Sequence, residues 1–462
     1  MLPVTVSVYD RTRVDAWQWF PAAPQSETYG YAESLIRVGI AQHIKQWDWQ
    51  LELSQPSVLG APSDAVSPNP AQGQMGLGGT YYASDGNNSY PAAAFLKQGY
   101  LRNHFGEGAS LRVGRFEFFD GQETQPKDKS LSWLQNNRIA QRLVGNFGFS
   151  TAQRSFDGID GRFAKGTWDV TAMAARADQG VFNMNGNPEL NVDLQYLAVT
   201  KSAWHQHFLA RGFAIGYHDG RTGIAKTDNR PLAIRKADHQ NIRIGTYGGD
   251  FVATIPAGPG QFDLLGWGVL QNGQWGPLEQ TSRAATLEAG YQLPKVPSTP
   301  WLRGGYFYGS GDSNPTDNRH ETFFQILPTP WIYAHLPFYN LMNNKDAFAQ
   351  IVDRPMKKLE LRGDLHLLEL SSAHDLWYSG GGAYDNKVFG YQGRPANGHA
   401  SLGTVAEISS SWQATKNAAV NLYYGHVSGG NVPSKIYPEG SNAQFGYVEL
   451  VYRWGKTQGQ TR

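Results

Sequence analysis

The chain has 462 residues, a formal net charge of +1, 17% charged and 13% aromatic residues, 53 glycines and no cysteine. The balanced charge leaves no electrostatic footprint for nucleic acid, the lack of cysteine removes disulfides and thiolate metal sites, and no run of about eighteen apolar residues is present, which excludes a transmembrane helix. Nothing resembling a linker divides the chain, so one large body is expected, and a mean hydropathy of −0.47 beside 14 Trp and 23 Tyr fits aromatic girdles at two membrane interfaces better than a soluble core.

Strands are predicted, in chain order, near 3–9, 35–43, 47–54, 93–102, 111–119, 155–163, 167–176, 192–200, 206–217, 240–255, 260–271, 283–293, 300–309, 357–370, 374–383, 402–414, 417–427 and 443–454. The opening MLPVTVSVYD is already strand-like, so the numbering is expected to begin at a mature or trimmed terminus. A long connection is expected at 10–34. WDWQLELS (47–54) then puts Trp47, Trp49, Leu51 and Leu53 on one face and Asp48, Gln50, Glu52 and Ser54 on the other. TLEAGYQL (286–293) and LELRGDLHLL (359–368) repeat this period of two, which is that of a strand and not of a helix. Either a soluble sandwich or a membrane barrel can use such a strand, with the apolar face turned to a core or to lipid respectively.

The connections decide between them. Long ones, such as SVLGAPSDAVSPNPAQGQMGLGG and 310–356, alternate with short ones such as AKG, SSA and TKN. Sorting loops by side is the habit of outer-membrane barrels, with short periplasmic turns facing long extracellular loops. The expected fold is therefore all-β: a single transmembrane antiparallel β-barrel of about eighteen strands over 1–454, with a polar tail at 455–462, in the outer membrane of a Gram-negative bacterium and in contact with its lipid. The closing QFGYVELVYRW alternates Val448, Leu450, Tyr452 and Trp454 and resembles the C-terminal signal of such barrels, although the tail follows it.

LRVGRFEFFDG (111–121), RSFDGIDGRF (154–163) and WDVTAMAAR (168–176) together resemble the alginate-export family of outer-membrane porins. So do YGSGDSNPTDNRHETFFQILPTPWIYAHLPFYNLMNN and the strands LGTVAEISSSWQATKNAAVNLYYGH and AQFGYVELVYRW; the similarity spans roughly 95–454. It implies a monomeric eighteen-stranded channel for an acidic polysaccharide, or for other hydrophilic solutes in divergent members, with a periplasmic secretion partner. Arg154 and Asp157 fall in the RSFDG segment, as a loop-anchoring pair or a solute site.

A channel needs a hydrated constriction and no reaction. Strand parity places Arg37, Arg115, Arg243, Arg303, Arg362 and Arg453 in the lumen, with the acids Asp48, Glu52, Glu117, Asp169, Glu288, Glu360, Asp364, Glu407 and Glu449. In this reading Phe116 and Phe118 face lipid and Arg112 points outward at the rim. These groups either contact solute or pair with one another and stiffen the wall. The acids outnumber the bases, which sits badly with a polyanion channel unless external loops carrying Arg138, Arg142 and Arg235 fold inward; otherwise a weakly selective porin for small solutes is expected. No catalytic motif is present: G-x-S-x-G is missing, and HETFF at 320 lacks the second histidine of H-E-x-x-H. A barrel enzyme of the lipase type is retained only as a contrast, and no cofactor is expected. Asp312, Asn314 and Asp317 in GDSNPTDN offer oxygen ligands for calcium, without the spacing of an EF-hand; an ordinary polar turn is the alternative.

Overall fold

The computed structural model describes residues 4–203, 207–329 and 335–455. Its strands are β1 (Thr5–Gln18), β2 (Thr28–Ile44), β3 (Trp47–Leu59), β4 (Phe95–Phe105), β5 (Ala109–Phe116), β6 (Phe156–Lys165), β7 (Trp168–Asp178), β8 (Glu189–Ala203), β9 (Phe208–Asp219), β10 (Ile242–Ala257), β11 (Gly260–Trp275), β12 (Leu278–Gln292), β13 (Trp301–Gly309), β14 (Arg319–His320), β15 (Asn344–Met356), β16 (Leu359–Leu370), β17 (Leu376–Gly380), β18 (Tyr391–Pro395), β19 (Ser401–Trp412), β20 (Ala418–Gly429) and β21 (Asn442–Gly455). All but β14, β17 and β18 pair antiparallel with their barrel neighbours in chain order, and β21 returns to β1 from Ser7↔Gly455 to Gln18↔Gln444. The eighteen-stranded sheet thus closes on itself. Closure pairs every edge, which lipid demands because it offers no water to an unpaired N–H or C=O.

Alternation along each strand divides wall from lumen. On β16, Leu365 and Leu367 are 46% and 54% exposed on the outer face, while Arg362, Asp364 and His366 are buried inside. Leu51, Leu53, Leu101, Leu270, Leu287, Leu302 and Ile408 continue the outer apolar belt. Trp47, Trp168, Trp412 and Trp454 are exposed at the short-turn end, an interfacial girdle.

The inner wall is buried because the long loops fold into the barrel. The segment 117–155 carries α1 (Lys129–Leu134), capped by Asp128 accepting from Leu131 N at 2.7 Å, and runs on into a π-helical turn, Gln135–Ile139. It is strapped to the loop 310–343 by Gly145 N to Leu327 O, 2.9 Å, Leu327 N to Leu143 O, 2.8 Å, and Thr329 N to Gln141 O, 2.9 Å. Phe323, Phe324, Ile326, Leu327, Leu336 and Phe338 are fully packed within the mouth; 330–334 lie outside the described residues.

Four sequence expectations are corrected. The segment 374–383 supplies no barrel strand: Leu376–Gly380 pairs only with Tyr391–Pro395 in a small loop sheet. The barrel strand is instead Asn344–Met356, expected to be loop; its inner face holds Phe348 and Val352, and its outer face Ala347 and Ala349, so apolar residues on both faces hide the period. The connection expected at 10–34 is only 19–27, because β1 continues to Gln18 with polar Asp10 and Thr12 on the outer side, where they break the alternation. Loop sorting is not strict either, since Gly276 and Pro277 alone join β11 to β12 at the long-loop end. β21 extends through Gly455, and 456–462 of the expected tail lie outside the described residues.

Candidate functional site

The lumen wall is a set of ion pairs. On β1, Arg13 donates to Asp15 at 2.8 Å and to Glu33 of β2 at 2.6 Å, while Arg11 reaches loop carbonyls of Gly148 and Ser150 and lies 3.7 Å from Glu449. Arg37 donates to Glu52 at 2.6 Å and Glu117 at 2.8 Å. Lys97 Nζ, fully buried, donates to the carbonyls of Gln153 and Arg154, both at 2.9 Å. Burial pushes the Glu117 carboxyl up, but the adjacent charges of Arg37 and Lys97 outweigh it and hold it at about 2. On β16 Arg362 pairs with Asp364 at 2.7 Å. Glu360 accepts from Trp133 at 3.1 Å and Arg354 at 2.9 Å; Arg354, expected in an external loop, belongs to β15. Asp169 takes Arg162 at 2.6 Å, and Glu407 takes Tyr423 Oη at 2.8 Å and Leu336 N at 2.9 Å. Arg453 sits over the Tyr9 ring at 5.2 Å near the short-turn mouth.

The inserted loop adds positive charge at mid-lumen. Arg138 and Arg142 donate to Glu288 of β12 at 2.8 and 2.9 Å, and Arg303 of β13 approaches the same carboxylate at 3.2 Å while also holding Asp263 at 3.1 Å. Three guanidiniums therefore share two carboxylates, and the charges of Asp364 and Asp346 also act on Arg138. Arg235 remains on its own loop, donating to the carbonyls of Arg230 and Lys226, both at 3.0 Å.

The RSFDG segment splits between two environments. Arg154, at 0% exposure, donates to the carbonyls of Gly145 at 2.9 Å, Leu327 at 3.1 Å, Gly381 at 2.8 Å and Ala383 at 3.2 Å. It ties three loops together, and burial lowers its guanidinium to about 10. It forms no pair with Asp157, whose partner is Arg115 at 2.7 Å on the outer face. Cross-strand register extends this outer row as Arg115↔Asp157↔Arg176↔Asp193↔His218↔Arg243. Arg115, Asp157 and Arg243 are thus corrected from the lumen to the outer wall, beside the long-loop ends. The error in β5 came from assigning the phenylalanines to lipid: Phe116 and Phe118 are buried inside against the inserted loop, and Arg112 shares their side, 4.1 Å from the Phe116 ring. Arg243 fails for a similar reason, since its neighbours Ile242 and Ile244 are the buried residues.

Outside the constriction the loops enclose a cavity of about 360 Å³. Its walls are aromatic, with Trp19, Phe147, Phe149, Phe182, Tyr339, Tyr384, Phe389 and Tyr391, and its polar lining includes Gln74, Lys387 and Arg394. Arg394 is 2% exposed, held by Gln72 O at 3.1 Å and Gln74 O at 2.9 Å and placed 4.8 Å from the Trp377 ring, yet its Nε–H has no hydrogen-bond partner. Asp312 and Asn314 spend their side chains on backbone N–H groups two residues on, at 2.9 and 3.2 Å, as does Asp317 at 2.9 Å. That is the geometry of successive polar turns.

Sequence reasoning missed Arg11, Arg13, Lys97 and Arg394. The first two were legible, because Arg11, Arg13, Asp15 and Trp17 recur at every second residue. Arg394 carried no signal, since only the loop packing places it.

The model of the alginate export family matches residues 83–446. The chain belongs to the alginate export family. No curated protein matches it. Among solved structures, it is similar to OccAB2 of Acinetobacter baumannii, at 7% identity and a TM-score of 0.62 with 98% of each chain covered. OccK9 (OpdG) of Pseudomonas aeruginosa gives 10% and 0.57, again with 98% of each chain covered. OpdK of Pseudomonas aeruginosa, solved with vanillate, gives 6% and 0.56 over 98% of this chain and 99% of that one. The barrel shared with these proteins and the family membership make this alginate-export-family protein an outer-membrane channel and not an enzyme.

Proposed function

We propose that the channel passes small organic anions, bound on the way in the aromatic external cavity, and that it is not a conduit for polymer. The observation that carries this reading is the aromatic-lined cavity of about 360 Å³ with Arg394 in its wall, a volume suited to a small ligand. The positive charge of Arg394 attracts a carboxylate into the cavity while aromatic rings of the solute stack on the walls. The inserted loops support the same reading, because they narrow the path to the width of a small solute. The vanillate named with OpdK is a solute of this class. The second reading, passage of an anionic polysaccharide, is favoured by the family.

Single-channel recording with an aromatic carboxylate and, separately, with a uronate oligomer distinguishes them. The small acid is expected to block current transiently, and Arg394→Met is expected to weaken that block about tenfold, through loss of the charge that attracts it. Block by the oligomer alone, unaffected by Arg394→Met, supports the polysaccharide.

A further inference from the structure

At the opposite end of the barrel, three metal-ligating side chains converge on the lumen. His43 closes β2, Asp48 opens β3 and His104 lies near the end of β4, so adjacent strands bring them together beside the short turns. Each is on the inner face by alternation: His43 follows Arg37, Gly39 and Ala41, and His104 follows Tyr100 and Arg102. His43 Nδ1 contacts Asp48 Oδ1, His104 Nε2 lies 2.6 Å from Asp48 Oδ2, and the ligand atoms of the three groups all fall within 4.8 Å of one another. The imidazole rings are 6.0 Å apart, centroid to centroid. The carboxylate is only 7% exposed and fixed in the wall, whereas the histidines are 55% and 37% exposed and open to the lumen.

We propose that His43, Asp48 and His104 form a binding site for one divalent transition-metal ion at the short-turn mouth of the channel. Two imidazoles and a carboxylate suit zinc, copper, nickel or cobalt, whereas magnesium and calcium favour all-oxygen sets. Ligand atoms about 2 Å from a common ion stand about 3 Å or slightly more apart in a tetrahedral arrangement. To share an ion the two rings need to withdraw slightly from Asp48 and bring their ligand nitrogens toward one another from within 4.8 Å, a movement their exposure permits. Three protein ligands leave a coordination position facing the lumen, where water or a passing anion can enter. Within the barrel the ion joins the β2–β3 hairpin to β4 and adds positive charge to the mouth. Among the described residues this is the one group of three or more His, Asp or Glu side chains close enough to share an ion.

The test is titration of the purified full-length barrel in detergent with zinc chloride, and with magnesium chloride as control, by calorimetry. One zinc per chain is expected, without magnesium binding. His104→Ala and the double variant His43→Ala/His104→Ala should each weaken zinc by more than about tenfold, since even outer-shell partners of metal sites cost about 10–100-fold. Heat-dependent electrophoretic mobility confirms that the variants remain folded barrels. In a planar bilayer, zinc added from the short-turn side should change the current in the wild type and not in the double variant. Equal zinc affinity in the wild type and the folded double variant, or no saturable zinc binding by the wild type, overturns the proposal.

Discussion

Glu288 is the residue on which the constriction turns, since Arg138, Arg142 and Arg303 all reach it. Glu288→Gln removes the carboxylate that Arg138, Arg142 and Arg303 share in a buried site, where removal of one member of an ion pair costs about 3–5 kcal/mol. The expected result is a looser loop 117–155 and a reversal potential, under a potassium chloride gradient, moved toward anion selectivity. A move toward cations would show that these arginines do not face the conducting path. A second device works through pH. Asp312 and Asp375, on different loops, meet where Asp375 Oδ2 accepts from Asp312 N at 2.9 Å and from Thr322 Oγ1 at 2.6 Å. Burial raises Asp312 to about 7 and Asp375 to about 6. Folded values above the unfolded ones mean that the docked loops bind protons more tightly than the free loops, so docking is most stable at low pH and weakens as pH rises through about 6 to 7. Amide exchange at 310–322 should therefore be slower at pH 5 than at pH 8, and the reverse order would reject this assignment.

At the scale of the element, β16 shows how a barrel strand uses its two faces. Leu365→Arg puts a charge into lipid near the middle of the strand and should cost about 2–4 kcal/mol in a reversible folding assay, falling toward zero at the interfaces. Asp364→Arg acts on the other face, because Asp364 holds Arg362 at 2.7 Å and Gln350 at 2.6 Å. It places two guanidiniums side by side, and its cost arises within the lumen network and not in lipid. The long loop 310–343 is a separable element only up to Asn343, since β15 begins at Asn344. Deleting 311–342 while keeping β15 should raise conductance and leave the barrel folded, as judged by electrophoretic mobility without heating; unchanged conductance would show that this loop does not narrow the path.

The whole molecule is a closed wall with its loops packed inside, and this arrangement explains where the sequence was legible. Outer-face residues such as Leu51, Leu53 and Leu365 meet one uniform solvent, lipid, so their period of two survives and gives both the fold and the parity of Arg37, Arg303, Arg362, Asp364, Glu449 and Arg453. Inner-face residues meet whatever loop lies against them. Phe116, Phe348 and Val352 are buried there beside Arg112 and Gln350, so apolar character on its own does not mark the lipid side. That ambiguity misplaced Arg115 and concealed β15.

The sequence by itself determined an antiparallel barrel of about eighteen strands and its membrane, because these follow from local alternation and from the lengths of connections, and it pointed to the family through the motifs at 111–121, 154–163 and 168–176; the strand number held because the strand lost at 374–383 is replaced by Asn344–Met356. Only the tertiary structure decided that Arg138 and Arg142 meet Glu288, that Arg154 ties loops instead of touching solute, that Asp157 and Arg243 lie on the outer wall, and that Arg394 lines an aromatic cavity. Each of these joins segments distant in the chain through loop packing, which leaves no periodic trace in the sequence.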